Sequence, residues 1–310
     1  MPDSALDAIF KAYDVRGIYP DELDESIARR IGNAFVAFTG SARVLVGRDA
    51  RPSSAPLVAA FTDGALVAGA DVVDLGVAST DLCYFAAGSL DSPAAMFTAS
   101  HNPAEYNGVK LCRAGALPIG QDTGLAEIKA MVAGGLIERA EDPGRSESRD
   151  LLPAFVAHVH SFVDLDALAP IRVVSDTANG VGGLIVPAVF SRLPFELTML
   201  YGELDGTFPN HPADPTTVDN LKDLARAVVD GDAADVVGLE DRVERLGRRH
   251  GGHSRSQGRR QGRRGSSPSG REEARCYPPT PGIRSSIAAG RHPPGAPTPR
   301  APPAPSAPRR

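Results

Sequence analysis

Over its first 240 residues the chain alternates short apolar runs with stretches whose apolar residues recur every three or four positions. Residues 9–20 begin with a mixed apolar and charged strand-like piece ending at Gly17. From Asp24 onward Ile27, Ile31, Phe35 and Phe38 fall on one face of a predicted helix, and Gly40 ends it. Residues 43–46 read as a short buried strand that opens into a cation-rich loop, Gly47-Arg48-Asp49-Ala50-Arg51-Pro52-Ser53. Residues 55–69 are helical in composition, although Gly64 weakens them. Residues 71–75 form the next predicted strand, closed by Gly76, and Asp81 caps a short helix to Ala87. Residues 94–97 are a fourth apolar run, residues 109–112 return as a neighbouring strand, and residues 123–132 are a further helix.

The alternation continues beyond a polar, turn-rich stretch at 139–150. Residues 151–163 place Leu152, Phe155, Val156, Val159 and Phe162 near one helical face. Strands are predicted at 171–175, 195–201 and 234–239, with helices leading to Phe190 and carrying Val218, Leu221, Leu224, Ala225 and Val228. Such alternation argues for layered α/β architecture with functional loops at strand ends. The expected organisation is a first domain over 1–140, a linker at 141–150, a second and shorter domain over 151–240, and a tail over 241–310.

Charge separates the tail from the rest. Residues 1–240 carry 17 Lys and Arg against 34 Asp and Glu, whereas residues 241–310 carry 16 Arg, no Lys and 4 acids, inside a total of −5. The tail is dominated by Arg, Gly, Pro, Ser and Ala and holds one aromatic residue, Tyr277. It offers too little apolar surface to offset chain ordering and is expected to be disordered. Its charge suits non-specific nucleic-acid contact, but base stacking has only Tyr277 to draw on. Heavy Arg without Lys is also what a GC-rich gene read out of frame yields. Cys83, Cys112 and Cys276 are odd in number and form no CxxC pair, which points to a reduced, cytoplasmic compartment. No apolar run reaches membrane-spanning length, so no membrane partner is expected.

The stretch that concentrates chemistry is Thr98-Ala99-Ser100-His101-Asn102-Pro103. It delivers a hydroxyl at the carboxyl end of the 94–97 strand, on a loop stiffened by proline. A serine before a proline is ordinarily a turn or cap residue. A serine hydrolase is a poor fit, because neighbouring side chains such as Ser100 and His101 tend to diverge and no GxSxG elbow surrounds them. The cations Arg16, Arg48, Arg51 and Lys110, each in a predicted loop or at a strand end, suit a phosphate better.

Six motifs in order carry a family resemblance. They are Phe10-Lys11-Ala12-Tyr13-Asp14-Val15-Arg16-Gly17, Gly47-Arg48-Asp49-Ala50-Arg51, the serine stretch itself, Tyr106-Asn107-Gly108-Val109-Lys110, Asp176-Thr177-Ala178-Asn179-Gly180 and Leu204-Asp205-Gly206-Thr207-Phe208-Pro209. Over about residues 9–240 the chain resembles the α-D-phosphohexomutases, in particular the bacterial phosphomannomutase/phosphoglucomutase group. The resemblance implies a layered α/β/α domain with a mixed sheet and a second, truncated α/β/α domain. It implies transfer of phosphate between the 1 and 6 positions of a hexose through a phosphoserine at Ser100, with hexose phosphate and hexose bisphosphate as partners. His101 and Lys110 are the implied acid–base helpers, Arg16 and Asn102 hold the phosphoserine and its loop, and Tyr13 and Arg48 join the phosphate- and substrate-binding set. Mg²⁺ is the implied cofactor, with an oxygen of the Ser100 phosphate among its ligands.

The departures are specific. Asp81 stands where the family has proline. The family's Asp-Gly-Asp-x-Asp-Arg metal loop, expected after the 234–239 strand, is replaced by Glu240-Asp241-Arg242-Val243-Glu244-Arg245. A partial likeness upstream, Asp230-Gly231-Asp232-Ala233-Ala234-Asp235, sits before that strand and reads as a helix-to-strand turn. The family's sugar-reading and phosphate-clamping domains have no counterpart. Phosphoryl transfer leans on metal charge neutralisation, so weak Mg²⁺ binding and little or no turnover are expected of this chain.

Overall fold

The computed structural model describes residues 3–135, 139–231 and 235–238, all within one compact unit of the chain. Its first sheet is built around β2 (Arg43–Arg48) and β4 (Ala94–Phe97), the two strands buried deepest. Side chains alternate across a strand, and that alternation divides the core. Val44, Val46, Ala95 and Phe97 pack into the cluster on one face, while Leu45, Ala94 and Met96 pack on the other. A strand covered on both faces reads as a continuous apolar run, and this is why 43–46 and 94–97 carry no polar alternation.

The remaining elements of the first layer follow in chain order. They are α1 (Asp3–Ile9), β1 (Val15–Ile18), α2 (Glu25–Thr39), α3 (Ser54–Val67), β3 (Asp71–Val77), α4 (Thr80–Ser89), β5 (Tyr106–Arg113), β6 (Leu117–Pro118), α5 (Leu125–Gly134) and β7 (Ser146–Ser148). The seven-stranded sheet runs β1-β5-β4-β2-β3-β7, with β6 on β5. β2 pairs in parallel with β3 and β4, whereas β5 pairs antiparallel with β1, β4 and β6, so the sheet is mixed as expected.

Helix α2 forms where its apolar spacing placed it. The Asp24 carboxylate accepts from the Ile27 amide at 2.9 Å as N-cap, and Gly40 closes the helix at φ 61°. The helix-weakening Gly64 has a packing reason. A Cβ built there would lie 1.9 Å from the Arg29 carbonyl oxygen, and one built at Gly32 would lie 2.1 Å from that of Phe61. The two glycines let α2 and α3 touch backbone to backbone.

Several expectations shift. The first strand begins at Val15 rather than near residue 9, because α1 runs to Ile9 and leaves Phe10 in an isolated bridge to Val15. β2 continues through Gly47 and Arg48, which pair with Met96 and Phe97, so the cation-rich loop starts at Asp49. β5 starts at Tyr106, ahead of the predicted 109. The cap of α4 is Ser79, whose hydroxyl accepts from the Leu82 amide at 3.1 Å, and Asp81 lies inside the first turn. The polar stretch 139–150 contributes β7, an edge strand parallel to β3.

The second sheet is smaller. Helix α6 (Leu152–His160) precedes β8 (Arg172–Asp176), α7 (Gly182–Phe190), β9 (Glu196–Leu200), α8 (Lys222–Asp230) and β10 (Asp235–Gly238). The strands run β10-β8-β9, all parallel. Val174 and Leu224 centre its core, flanked by half-buried Leu200, Leu221, Ala227 and Val228. Two residues assigned to apolar helical faces, Phe162 and Val218, are instead 72% and 75% exposed. Leu151 and Phe155 join the first sheet's core, with the Phe155 ring 5.8 Å from that of Phe85 on α4. The Asp230–Asp235 segment lies between α8 and β10, with residues 232–234 outside the described residues. The expected disordered tail at 241–310 and the Glu240–Arg245 segment also lie outside the described residues.

Candidate functional site

Ser100 sits just past the carboxyl end of β4, where the strand order brings β2, β4 and β5 side by side. Its backbone adopts φ 54°, the left-handed region that non-glycine residues avoid. Its amide donates to the Thr98 hydroxyl at 2.9 Å, and the Asn102 side-chain amide donates to the Ala99 carbonyl at 2.8 Å. The tight turn is thus closed by its own polar side chains.

Arg51 fixes the outer half of that turn. Its guanidinium is fully buried, and its nitrogens converge on the loop's carbonyls. Nη2 donates to Ser100 at 2.7 Å and to Asn102 at 2.8 Å, and Nη1 donates to Pro103 at 2.5 Å and to Tyr106 at 3.1 Å. Nε donates to the Asp49 carboxylate at 3.0 Å. Asp49 also accepts from the Arg51 amide at 3.0 Å and the Ser54 hydroxyl at 2.5 Å. Asn107, completely buried, donates to the Ser53 and Ser54 hydroxyls at 2.8 and 2.9 Å and so ties β5 to the start of α3.

Two further cations share one carboxylate. Asp14, 6% exposed, accepts from Arg16 Nη2 at 2.6 Å and from Lys110 Nζ at 3.3 Å. Arg16 and Lys110 lie on the adjacent antiparallel strands β1 and β5, so sheet register brings them together. One carboxylate against two cations leaves a local surplus of positive charge for an anion.

The expected site residues separate into two sets. Ser100 and Lys110 line a cleft of about 370 Å³ together with Thr98, Tyr84 and, from the second sheet, Gly180, Val181 and Phe208. His101 is exposed, yet its Nδ1 lies 3.4 Å from Ser100 Oγ, so the adjacent pair does converge in spite of its sequence spacing. Arg16 adjoins Lys110 through Asp14, and Asn102 builds the loop. Tyr13 is 82% exposed and Arg48 donates to the Asp49 carbonyl at 3.4 Å; neither lines the cleft.

Three contributors carry no role in the sequence reading: Asp14 and Phe208, which are only motif members there, and Tyr84. Asp14 had a signal, since it stands two residues before Arg16 in the same motif, although it precedes β1 by one residue. Burial pushes the Tyr84 hydroxyl up to about 12, which keeps it neutral as a hydrogen-bonding group in the cleft. Asp214 is held below the usual carboxylate range, first by hydrogen bonds from Thr216 and Thr217 and also by the charge of His101.

The carboxylates around the cleft are already engaged. Asp14 serves two cations, Asp49 serves Arg51 and Ser54, and Asp176 lies 3.1 Å from His211 Nε2. Among the described residues no group of three or more His, Cys, Asp or Glu side chains could hold a metal ion. Among them, too, no helix is long and apolar enough to cross a membrane.

Comparison with known proteins agrees with this geometry. The family description "Phosphoglucomutase/phosphomannomutase, alpha/beta/alpha domain I" matches residues 7–135, and the corresponding domain II matches residues 153–246. A protein of Xanthomonas campestris pv. campestris named "Phosphohexose mutases" is 41% identical over 220 residues, 71% of this chain and 49% of its own. A phosphomannomutase of Salmonella montevideo is 36% identical over 229 residues, 71% of this chain and 50% of its own. The crystal structure of a phosphoglucomutase/phosphomannomutase family protein from Burkholderia thailandensis superposes with a TM-score of 0.68 at 35% identity, covering 74% of this chain and 51% of that one. The chain spans about half the length of the relatives it matches.

Proposed function

Because the N-terminal part of this chain belongs to the α-D-phosphohexomutase family, we propose that Ser100 is a phosphoryl carrier for hexose phosphates. The observation that carries this reading is one strained serine, held by the Arg51 staple, that lines a cleft with Lys110, which in turn shares Asp14 with Arg16. In the forward step a sugar hydroxyl attacks the phosphorus of phosphoserine and the bond to Ser100 Oγ breaks. The phosphoryl group ends on the sugar as a hexose bisphosphate, and the proton that the attacking hydroxyl gives up balances the one that the serine oxygen takes. His101 Nδ1, 3.4 Å from Oγ, is placed to hand over that proton. Return of the sugar's other phosphate to Oγ reverses the step and completes exchange between the 1 and 6 positions. Lys110 and Arg16 neutralise the charge on the transferring group.

Turnover by this chain is weak or absent in the same reading. In this reading the family's metal loop, expected after the 234–239 strand, is replaced by Glu240-Asp241-Arg242-Val243-Glu244-Arg245, and the cations present offset only part of the charge a metal would. Half-reactions are therefore more accessible than cycles. Incubation with glucose 1,6-bisphosphate, with and without Mg²⁺, followed by intact mass measurement, should show one phosphoryl group added to the wild-type chain and none to Ser100→Ala. A coupled mutase assay on the same samples should show little turnover. The other reading, a non-catalytic remnant that binds nucleic acid through its Arg-rich tail, rests on the 16 arginines of residues 241–310. Absence of phosphoryl uptake, together with salt-sensitive RNA binding, would favour it.

A further inference from the structure

All five N–H donors of the Arg51 guanidinium point, in its own plane, at Asp49 and at the carbonyls of the serine loop. What such a cation still presents is the face of that plane. Phe208 covers it from the second sheet's loop, with the Arg51 Cζ atom 5.0 Å from the ring centroid. We infer that Phe208 is a positioning residue for Ser100: its ring clamps the Arg51 face, shields the five hydrogen bonds from water, and so couples the geometry of the serine loop to the second sheet.

Three observations support the clamp. First, the loop that bears Phe208 approaches the first sheet as closely as backbone allows. A Cβ built at Gly206 would lie 2.3 Å from the Ala50 carbonyl oxygen and 2.4 Å from Arg51 Cα, so only glycine permits this docking. Second, the loop is rigidly held from behind. Asn179 receives Asn210 Nδ2 at 2.8 Å on its side-chain oxygen and donates to the Glu203 carbonyl at 3.0 Å, while its own carbonyl accepts from the Asp205 amide at 2.9 Å. Phe208 then donates its amide to the Asp205 carbonyl at 2.9 Å. Third, Phe208 itself sits at φ 53°, a costly conformation for a bulky residue. Strain persists only where the surroundings over-determine it, and here the partner strained residue across the contact is Ser100 at φ 54°.

A cation–π contact gains strength when desolvated. Arg51 is completely buried, so loss of the ring should loosen the loop far more than an exposed contact would. This inference rests on Ser100 being the working residue, but its test needs no phosphate. Amide hydrogen exchange, read by mass spectrometry on the full chain, reports the loop directly. In Phe208→Ala, peptides spanning residues 99–106 should exchange about thirtyfold faster, the size of one desolvated cation–π contact, while peptides from α2 and β2 keep wild-type rates. Phe208→Tyr should restore wild-type exchange in 99–106, and Phe208→Leu, which covers the same area without an aromatic face, should restore it only in part. Gly206→Ala should loosen the same loop by forcing the docking apart. The inference is overturned if Phe208→Ala leaves 99–106 at wild-type rates. It is equally overturned if Phe208→Leu and Phe208→Tyr are indistinguishable there, which also decides the case if Phe208→Ala accelerates exchange everywhere. If the wild-type chain takes up no phosphate while these exchange patterns hold, the carrier role falls and the clamp stands.

Discussion

The Arg51 guanidinium donates to the Ser100 carbonyl at 2.7 Å across 49 residues of sequence, from the end of one central strand's loop to the end of the next. The contact makes a buried cation the frame of the serine loop rather than a ligand for a phosphate. Asp49 neutralises it, and the carbonyls of Asn102, Pro103 and Tyr106 complete its shell.

Arg51→Lys therefore should not behave conservatively. An ammonium group has three donors and no planar fork, so buried carbonyls and part of Asp49 lose partners. Each unmet buried group costs about 1–3 kcal/mol, and a loss of about 3 kcal/mol is expected. A lowered urea midpoint at unchanged slope checks it. Phosphoryl uptake at Ser100 should fall in the same variant.

Ser100 separates stability from function in the opposite direction. A non-glycine residue in the left-handed region costs about 1 kcal/mol, so Ser100→Gly should raise stability by about 0.5–1 kcal/mol. It should also abolish phosphoryl uptake. Thermal unfolding and intact mass measured on the same preparation would show both; a destabilised Ser100→Gly would contradict the strain.

Much of this was readable from sequence because it is local. Asp24 and Gly40 bracket α2 by capping chemistry confined to neighbours, and the apolar 94–97 run is β4 because a central strand needs apolar side chains on both faces. The misreadings have a common cause. Gly47 and Arg48 look like loop, yet they extend β2 because Met96 and Phe97 pair with them; Gly108 likewise lies in β5 because Arg16 does. Ladder partners far along the chain override local turn propensity. The choice of Ser79 over Asp81 as the α4 cap was between two good cap residues within one turn. At the site, the serine motif exposed Ser100 and the Tyr106–Lys110 motif exposed Lys110, whereas Phe208 met Arg51 only through the docking of two sheets. Tyr13 shares a motif with Arg16 but precedes β1, so no strand pairing fixes it, and it stays exposed outside the cleft's lining.

Two helix glycines should respond with opposite signs. Gly64→Ala gains about 1 kcal/mol of helix propensity, but its Cβ would meet the Arg29 carbonyl oxygen at 1.9 Å and drive α2 from α3. Overpacking costs about 1–3 kcal/mol or more, so a net loss of about 2 kcal/mol is expected. Gly88→Ala, inside α4 with no atom within 4 Å of the new Cβ, should stabilise by about 0.5–1 kcal/mol. Urea unfolding of the pair would test the close α2–α3 crossing against its own control.

The buried thiols set the alkaline limit of stability. Burial pushes Cys83 up strongly and Cys112 up to about 11, from an unfolded value of 9.0. A thiol whose pKa rises on folding contributes fully below the unfolded value, and that contribution is lost as pH climbs past it, because the unfolded chain ionises first. Stability should therefore fall between pH 9 and about 11, by on the order of 2 kcal/mol for Cys112. In a Cys276→Ser background, neither remaining thiol should react with a disulfide reagent at pH 8 until urea unfolds the chain. Adding Cys83→Ala and Cys112→Ala should flatten the alkaline slope of the unfolding free energy. An unchanged slope would assign the loss to tyrosines instead, with Tyr84, raised to about 12, the first to replace.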